Sequence, residues 1–400
     1  MGAYSGPNVV DDSLVFYYDT FNQLKSYKGE PTTNLTTNTP SLNGWQGSYT
    51  VVNSSTKTFL ITTQQNTASV GSAWRTFYWS VSSYIGSYIT ISADVEFVSE
   101  TNCTFSSITI GQGNTGQYPY HLLGSPAADR QTVDTKPVEK IHMTWSGVIN
   151  ATGIVGFTQW IGNTTVDGAN AVLRISNVQI EAKAHETPFE NGTRSNTQGL
   201  LDLTGNSTID LSNVSFDSNA QIDFDGTDDY INLGDNSLFD FTNGVGTVEA
   251  IVKFPSSWTA GSQYPNLISK GATAGWDTDG WSLFGFRSYG SGTGYTLGIG
   301  IRNTGTVNTA LAYNQPADTW LHVIGTLDGS SIKLYVNGAL VTTNSQTVNP
   351  GDNNTNVYIG RDASSQYFPG DIPHVKTYSR ALTASEVQSN YQAIRTRYGI

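Results

Sequence analysis

Cys103 is the only cysteine in 400 residues, so no internal disulfide can form. A large chain without such cross-links suits synthesis and folding in a reducing cytoplasm. Basic residues are also few. Lys and Arg number 20 against 32 Asp and Glu, and the formal net charge is −12. Without a block of Lys or Arg, neither nucleic-acid binding nor attraction to an anionic membrane is expected. Contact with a negatively charged cell surface must then rest on shape and hydrogen bonds. No apolar run is long enough for a membrane span, so no membrane insertion is expected. The opening "MGAYSGPNVV" has neither the basic nor the apolar region of a signal peptide. His121, His142, His185, His322 and His374 are scattered, and no metalloprotease spacing, nucleophile elbow or phosphate loop occurs.

What is abundant is Gly, Asn, Ser and Thr, with aromatics at 12% and charged residues at only 13%. This mixture is poor in helix formers and rich in strand and turn formers, and the length favours two domains. The first strand is "SLVFYYDTFNQLKSYKGE", where Leu14, Phe16 and Tyr18 alternate with Val15, Tyr17 and Asp19. A lone strand cannot satisfy its backbone or bury a face, so it needs a distant partner. Between about Trp45 and Glu181 short strand-like runs follow. "YITISADVEF" puts Ile89, Ile91, Ala93, Val95 and Phe97 on one face, and "AVLRISNVQIEA" repeats the pattern with an interruption at Ser176–Asn177. Further on, "SIKLYVNGALVTT" predicts a hairpin with Asn337–Gly338 as its type I′ turn. The only helix expected lies at the C-terminus. Thr383 and Glu386 form a capping box, and Val387, Tyr391, Ile394 and Tyr398 share a face, with Arg395 and Arg397 in the last turn.

From about Gln221 to Tyr378 the chain resembles the laminin-G-like, concanavalin-A-like lectin jelly roll. The resemblance is carried by "IDFDGTDDYINLG", "GTVEAIVKF", "LISKG", "TWLHVIGTLDGSSIKLYVNGALV", "NVYIGR" and "FPGDIPHVKTYSRALTASEV", in the order that family shows. Two positions depart from it: Pro373 replaces an acidic or small residue, and Ile251 replaces a usual Trp. The flanks "SYKGEPTTNL" and "QIEAKAHETPFENGTRS", and the ending "LTASEVQSNYQAIRTRYGI", resemble virion proteins of tailed bacteriophages. In those proteins a strand like residues 14–19 opens the lectin-like domain and is soon followed by a turn like Leu203–Thr204–Gly205. Here that turn lies far downstream, which implies an inserted domain, tolerated because loop-closure cost grows slowly. The expected fold is all-β: two jelly-roll β-sandwiches, the first inserted into an early loop of the second, with a short C-terminal α-helix. The expected boundaries are an N-terminal arm over 1–12, a discontinuous lectin-like sandwich over 13–32 plus 193–400, and an insert over 33–192. The insert resembles jelly-roll carbohydrate-binding modules.

Glycan binding needs aromatic faces for sugar rings with polar groups around them. Candidates are Trp74, Arg75, Tyr78 and Trp79 in "SAWRTFYWSVSSY", Tyr118 and Tyr120 in "GQYPYH", and Trp276 and Trp281 around "GWDTDGW". Most sandwich aromatics are core residues, so each has a structural alternative. Asp225, Asp228 and Asp229 crowd one turn, and Asp277 and Asp279 another; either group could ligate one structural calcium, while simple turn chemistry is the plainer account. No cofactor is required. Concanavalin-like glucanases use a Glu-x-Asp-x-x-Glu strand, and the nearest stretch here, "DVEFVSE", places Asp94, Glu96 and Glu100 in the wrong order and in the insert. No catalytic residues are expected.

The resemblance implies a non-enzymatic phage virion structural protein, a fibre, appendage or capsid decoration displayed on the virion surface after synthesis in the bacterial host cytoplasm. Its implied partners are other virion proteins of capsid, neck or tail, host-surface glycans, and copies of itself in a homo-oligomer such as a trimer. A capsid cement protein without ligand and a polysaccharide depolymerase are the alternatives.

Overall fold

The computed structural model describes residues 9–37, 39–44, 47–65, 72–113, 130–162, 168–217, 221–241, 243–258, 266–271, 279–287, 294–350, 354–363 and 366–400. The chain forms two units: residues 1–30, 195–217 and 221–400 make an outer unit, and residues 31–194 an inserted one. Both are antiparallel β-structures, and the C-terminal helix Ala384–Tyr398 is the one α-helix among the described residues.

Two five-stranded sheets make the inserted unit. One runs Ile141–Val148, Tyr88–Thr101, Ala169–Glu181, Thr58–Gln65, Gly47–Asn53; the other runs Ser41–Gly44, Ser72–Ser80, Ile154–Gly162, Thr104–Gln112, Arg130–Val133. Strand alternation turns Ile89, Ile91, Ala93 and Val95 inward, against Phe77, Ile108, Ile110 and Phe157 of the facing sheet. The polar pair that interrupts the pattern is a bulge. Register slips between Ser176 and Gln179, and Asn177 takes a φ of 54°.

In the outer unit an eight-stranded sheet packs on a seven-stranded one. The opening strand Leu14–Asp19 pairs with Pro369–Tyr378, from Leu14 opposite Tyr378 to Asp19 opposite His374. Its other edge is closed by the 202–205 turn: Asp202 accepts the Tyr17 amide, the Leu203 amide reaches the Tyr17 carbonyl, and Thr204 Oγ1 reaches the Val15 carbonyl. Residues 9–12 are not a free arm. The Val10 amide donates to Asn390 Oδ1 at 2.8 Å, the Tyr378 hydroxyl donates to the Val10 carbonyl, and Asp12 pairs with Arg380. The hairpin of Ser331–Val336 and Ala339–Ser345 turns at Asn337 and Gly338, both at positive φ. Pro373 lies where the register against Val245–Lys253 shifts, so its missing amide costs no ladder bond.

The helix begins at the expected capping box of Thr383 and Glu386. Its buried residues are Val387, Asn390, Ile394 and Tyr398, so Asn390 replaces Tyr391 on the docking face. Tyr391 instead stacks on His322 with centroids 5.9 Å apart. Ile251 packs with Ile394 and Tyr398, filling with an aliphatic side chain the position where the resembled family has a Trp.

Beneath this helix lies a buried charged cluster. Glu249 has no exposure; its Oε1 is 3.0 Å from Lys376 Nζ and 3.2 Å from His322 Nε2, and its Oε2 accepts Asn390 Nδ2 at 2.7 Å. His374 stands 3.6 Å from Glu249 and 4.0 Å from Asp19, and Asp19 pairs with Arg397 of the helix. Burial works to raise the Glu249 pKa, but Lys376 and the two imidazoles outweigh it and hold the carboxyl well below its usual range. Burial, helped by Lys376, pushes His374 down to about 4.

The linkage has a definite sign. An unfolded histidine takes up its proton near ~6.5, whereas the folded His374 stays neutral to about 4, so the unfolded chain binds more protons in this window. Stability is full above the upper limit and falls by on the order of 3 kcal/mol as pH drops to the lower one. Urea unfolding at several pH values should show this decline, and it should flatten in His374→Leu. A midpoint independent of pH across the window in the unaltered protein would contradict it.

Candidate functional site

The strand Ser72–Ser80 divides its aromatic residues between two faces. Phe77 and Trp79 point into the core of the inserted unit, while Trp74, Thr76 and Tyr78 take the outward positions. Register carries this face across the whole sheet. Asn43, Thr76, Thr158, Thr109 and Thr132 form one transverse row. Trp74, Trp160 and Ser107 form the next, and Ser41, Tyr78, Gly156, Gly111 and Arg130 the one beyond. The Trp74 and Trp160 rings lie 6.2 Å apart at 31°. Threonine hydroxyls pair across strands, Thr76 with Thr158 at 2.8 Å and Thr109 with Thr132 at 3.1 Å, and the first three are buried. Trp74, Tyr78, Trp160 and Arg130 are half-buried large side chains of this face. Gly156 is dictated by packing, since a Cβ there would stand 2.2 Å from the Phe77 carbonyl oxygen.

Several expected site residues lie elsewhere. Arg75 alternates to the opposite face, where its Nη1 donates to the Gly44 carbonyl at 3.1 Å and burial lowers its pKa. Trp79 is 4% exposed among Phe59, Phe77 and Phe157, so it offers no face to a sugar. Trp281 is 1% exposed in the outer unit's core, stacked on Phe241 at 4.8 Å with its Nε1 donating to the Phe239 carbonyl. Tyr118, Tyr120, Trp276 and Asp277 fall outside the described residues. Trp160 escaped sequence reasoning because its pairing with Trp74 exists only in register.

Carboxylate oxygens of Asp225, Asp228 and Asp229 come within 4.8 Å of one another. Asp225 and Asp229 have other work. Asp225 Oδ1 accepts the amides of Thr227 at 2.7 Å and Asp228 at 3.3 Å, closing a turn through Gly226 at φ 77°. Asp229 Oδ1 accepts the Ser215 amide and hydroxyl, and its Oδ2 accepts the Asp225 amide, tying Ser215–Phe216 to Ile222–Asp225. Burial works to raise the Asp225 pKa, but the two turn amides leave it lowered; for Asp229 burial prevails and the pKa is raised. Calcium takes roughly six to eight oxygen ligands, and two members of this trio already accept five donors between them. Asp279 is likewise engaged, accepting Arg302 Nη1 at 3.1 Å and the Thr304 amide at 3.0 Å. Asp94 and Glu96 project from the inserted unit into cross-strand ion pairs, Asp94 with Lys140 and His142, Glu96 with Arg174.

Within the outer unit, residues 225–388 match the family model of the Concanavalin A-like lectin/glucanases superfamily. No curated protein matches the chain. Among solved structures, the botulinum neurotoxin serotype D binding domain is similar at 17% identity and a TM-score of 0.38, over 50% of this chain and 49% of that one. Domain 4 of a GH43 extracellular arabinanase from Geobacillus stearothermophilus, solved with arabinotriose, is similar at 18% identity and a TM-score of 0.37, over 49% of this chain and 93% of that one. The binding domain of Paraclostridial Mosquitocidal Protein 1 gives 18% identity, a TM-score of 0.38, and 48% and 49% of the two chains. This chain thus spans about half the length of the toxin domains it is similar to. Likeness at these scores carries no weight for ligand or activity.

Asp229 acts here as a structural clasp. Asp229→Ala should cost about 2–3 kcal/mol by stranding the donors of Ser215 and Asp225. Millimolar calcium should leave the melting temperature of the unaltered protein unchanged. A calcium-dependent rise that Asp229→Ala abolishes would overturn this assignment.

Proposed function

We propose that the protein is a non-catalytic adhesin that binds glycans through the outward face of the inserted sandwich, displayed in many copies on a tailed-phage particle. The observation that carries the glycan reading is the Trp74–Trp160 pair, with Tyr78 and Arg130 on the same face. Neighbouring indoles give successive sugar rings apolar surfaces, and flanking polar groups can orient hydroxyls. The lectin-type jelly roll of residues 225–388 supports the same reading from the other unit. Display on a phage particle is supported by "FDGTDDY" and the closing "NYQAIRTRYGI". Many weak sites on one particle yield useful avidity. A depolymerase gains no support from Asp94, whose pKa, raised by burial, is brought below the usual range by His142, Lys140 and Asn177.

Titration of the full chain against neutral host-surface oligosaccharides tests the binding. Trp74→Ala and Trp160→Ala should each weaken it about ten-fold, equal to about 1.4 kcal/mol, with the fold intact by circular dichroism. Flat titrations with the unaltered, assembled protein would remove the adhesin function. Mass spectrometry of purified particles tests the location separately, and absence of the chain from them would end the virion assignment.

A further inference from the structure

The edges of the outer unit's two sheets are unequal. On one side the sheets end in short strands, Ser215–Phe216 and Asp210–Asn213, the first clasped by Asp229 and the second with its register broken. Shortness and irregularity blunt an edge against pairing with another chain. On the other side they end in Thr306–Gln315 and Ala339–Ser345, of ten and seven residues. Neither strand contains Asp, Glu, Lys, Arg or Pro, the residues that usually guard such an edge. Val307, Tyr313, Leu340 and Val341 are exposed there, and Leu311, Tyr313 and Val341 wall a groove of about 460 Å³ between the two strands. The carbonyls of Thr309 and Leu311 are already taken by Asn344 Nδ2 and Thr342 Oγ1. Among the described residues no strand pairs with the outer edge of Ala339–Ser345, so alternate N–H and C=O groups of that strand point away from its ladder. Its one bulge, at Val341, lies beside the turn and leaves Thr342–Ser345 in regular register against Ser331–Leu334. A row of open backbone groups is satisfied by another strand, which a sugar does not supply. A second copy of this chain is the occupant that fits, because an antiparallel pair about a two-fold axis needs only this one strand from each chain. The long-range field of net charge −12 keeps copies apart, and a contact free of carboxylates adds no local repulsion to it. A charged partner segment would find no counter-charge on this edge.

We propose that two copies of the chain pair antiparallel through Ala339–Ser345, centred near Thr343, and so join their eight-stranded sheets across a two-fold axis. This surface is separate from the Trp74–Trp160 face and does not depend on it. Sedimentation velocity of the full chain over about a hundred-fold range of concentration provides the test. The unaltered protein should pass from monomer to dimer and stop there, because a two-fold pair closes on itself. Thr343 is exposed, so Thr343→Lys and Thr343→Asp should leave the fold intact by circular dichroism. Each variant alone should stay monomeric over that range, since like charges then face each other across the axis. An equimolar mixture of the two should recover the dimer, which misfolded variants would not do. The concentration series on unaltered protein needs no variant to fold. A monomer at every concentration, a trimer or larger assembly, dimerisation undiminished in both variants, or no recovery in their mixture would each overturn the proposal. Trp74→Ala should dimerise as the unaltered protein does while binding sugar more weakly, so failure here and failure of the glycan-binding function are told apart.

Discussion

The outer unit is organised around a buried carboxylate that three other chain segments must satisfy. Glu249 sits in Val245–Lys253, His322 in Trp320–Asp328, His374 and Lys376 in Pro369–Tyr378, and Asn390 in the C-terminal helix. A buried ion pair of this kind is a weak source of net stability, because desolvation offsets much of the attraction. Its partners are fixed in number and direction, so a helix docked in another register would strand a charge in the interior. Asn390 is thus the residue that sets the seating of the helix, with Val387, Ile394 and Tyr398 supplying the apolar contact. The same cluster reaches the start of the chain, since Asp19 pairs with Arg397 and Val10 is held by Asn390 and Tyr378. Closing the outer unit therefore depends on segments that lie on both sides of the insertion.

What local chemistry controls was legible in the sequence. The Asn337–Gly338 turn needs positive φ, the Thr383–Glu386 box needs two residues three apart, and inward strand residues need only alternation. Contacts set by distant segments were not legible. Periodicity assigned Tyr391 to the helix's buried face, and distant partners, Glu249, Tyr378 and Val10, explain why Asn390 is buried instead. Composition likewise cannot sort nine tryptophans into core and surface. Trp79 and Trp281 look as polar-flanked as Trp74, yet they face inward because of strand parity and the Phe239 carbonyl respectively. Arg75 follows Trp74 directly and so falls on the other face.

The exposed chemistry of both units follows from the same property of a sandwich. One face of each strand builds the core, and the other can carry any chemistry that register aligns. In the inserted unit register aligns two indoles beside a row of threonines. In the outer unit two strands of the seven-stranded sheet and the segment after them gather Tyr230, Tyr358 and Tyr367 around the Arg361 guanidinium. The acidic turn at Asp225–Asp229 holds Ser215–Phe216 and Ile222–Asp225 together. Apolar ring faces with scattered hydrogen-bonding groups suit a protein of net charge −12, whose long-range field repels anionic cell surfaces.

The central claim is that the outward face of Trp74 and Trp160 meets sugar. Indole N–H resonances of the nine tryptophans, followed by NMR during titration with a neutral host oligosaccharide, report on it residue by residue. Saturable shifts at Trp74 and Trp160, with Trp79 and Trp281 stationary, are the predicted result. Shifts confined to other tryptophans, or none at saturating sugar, would contradict it.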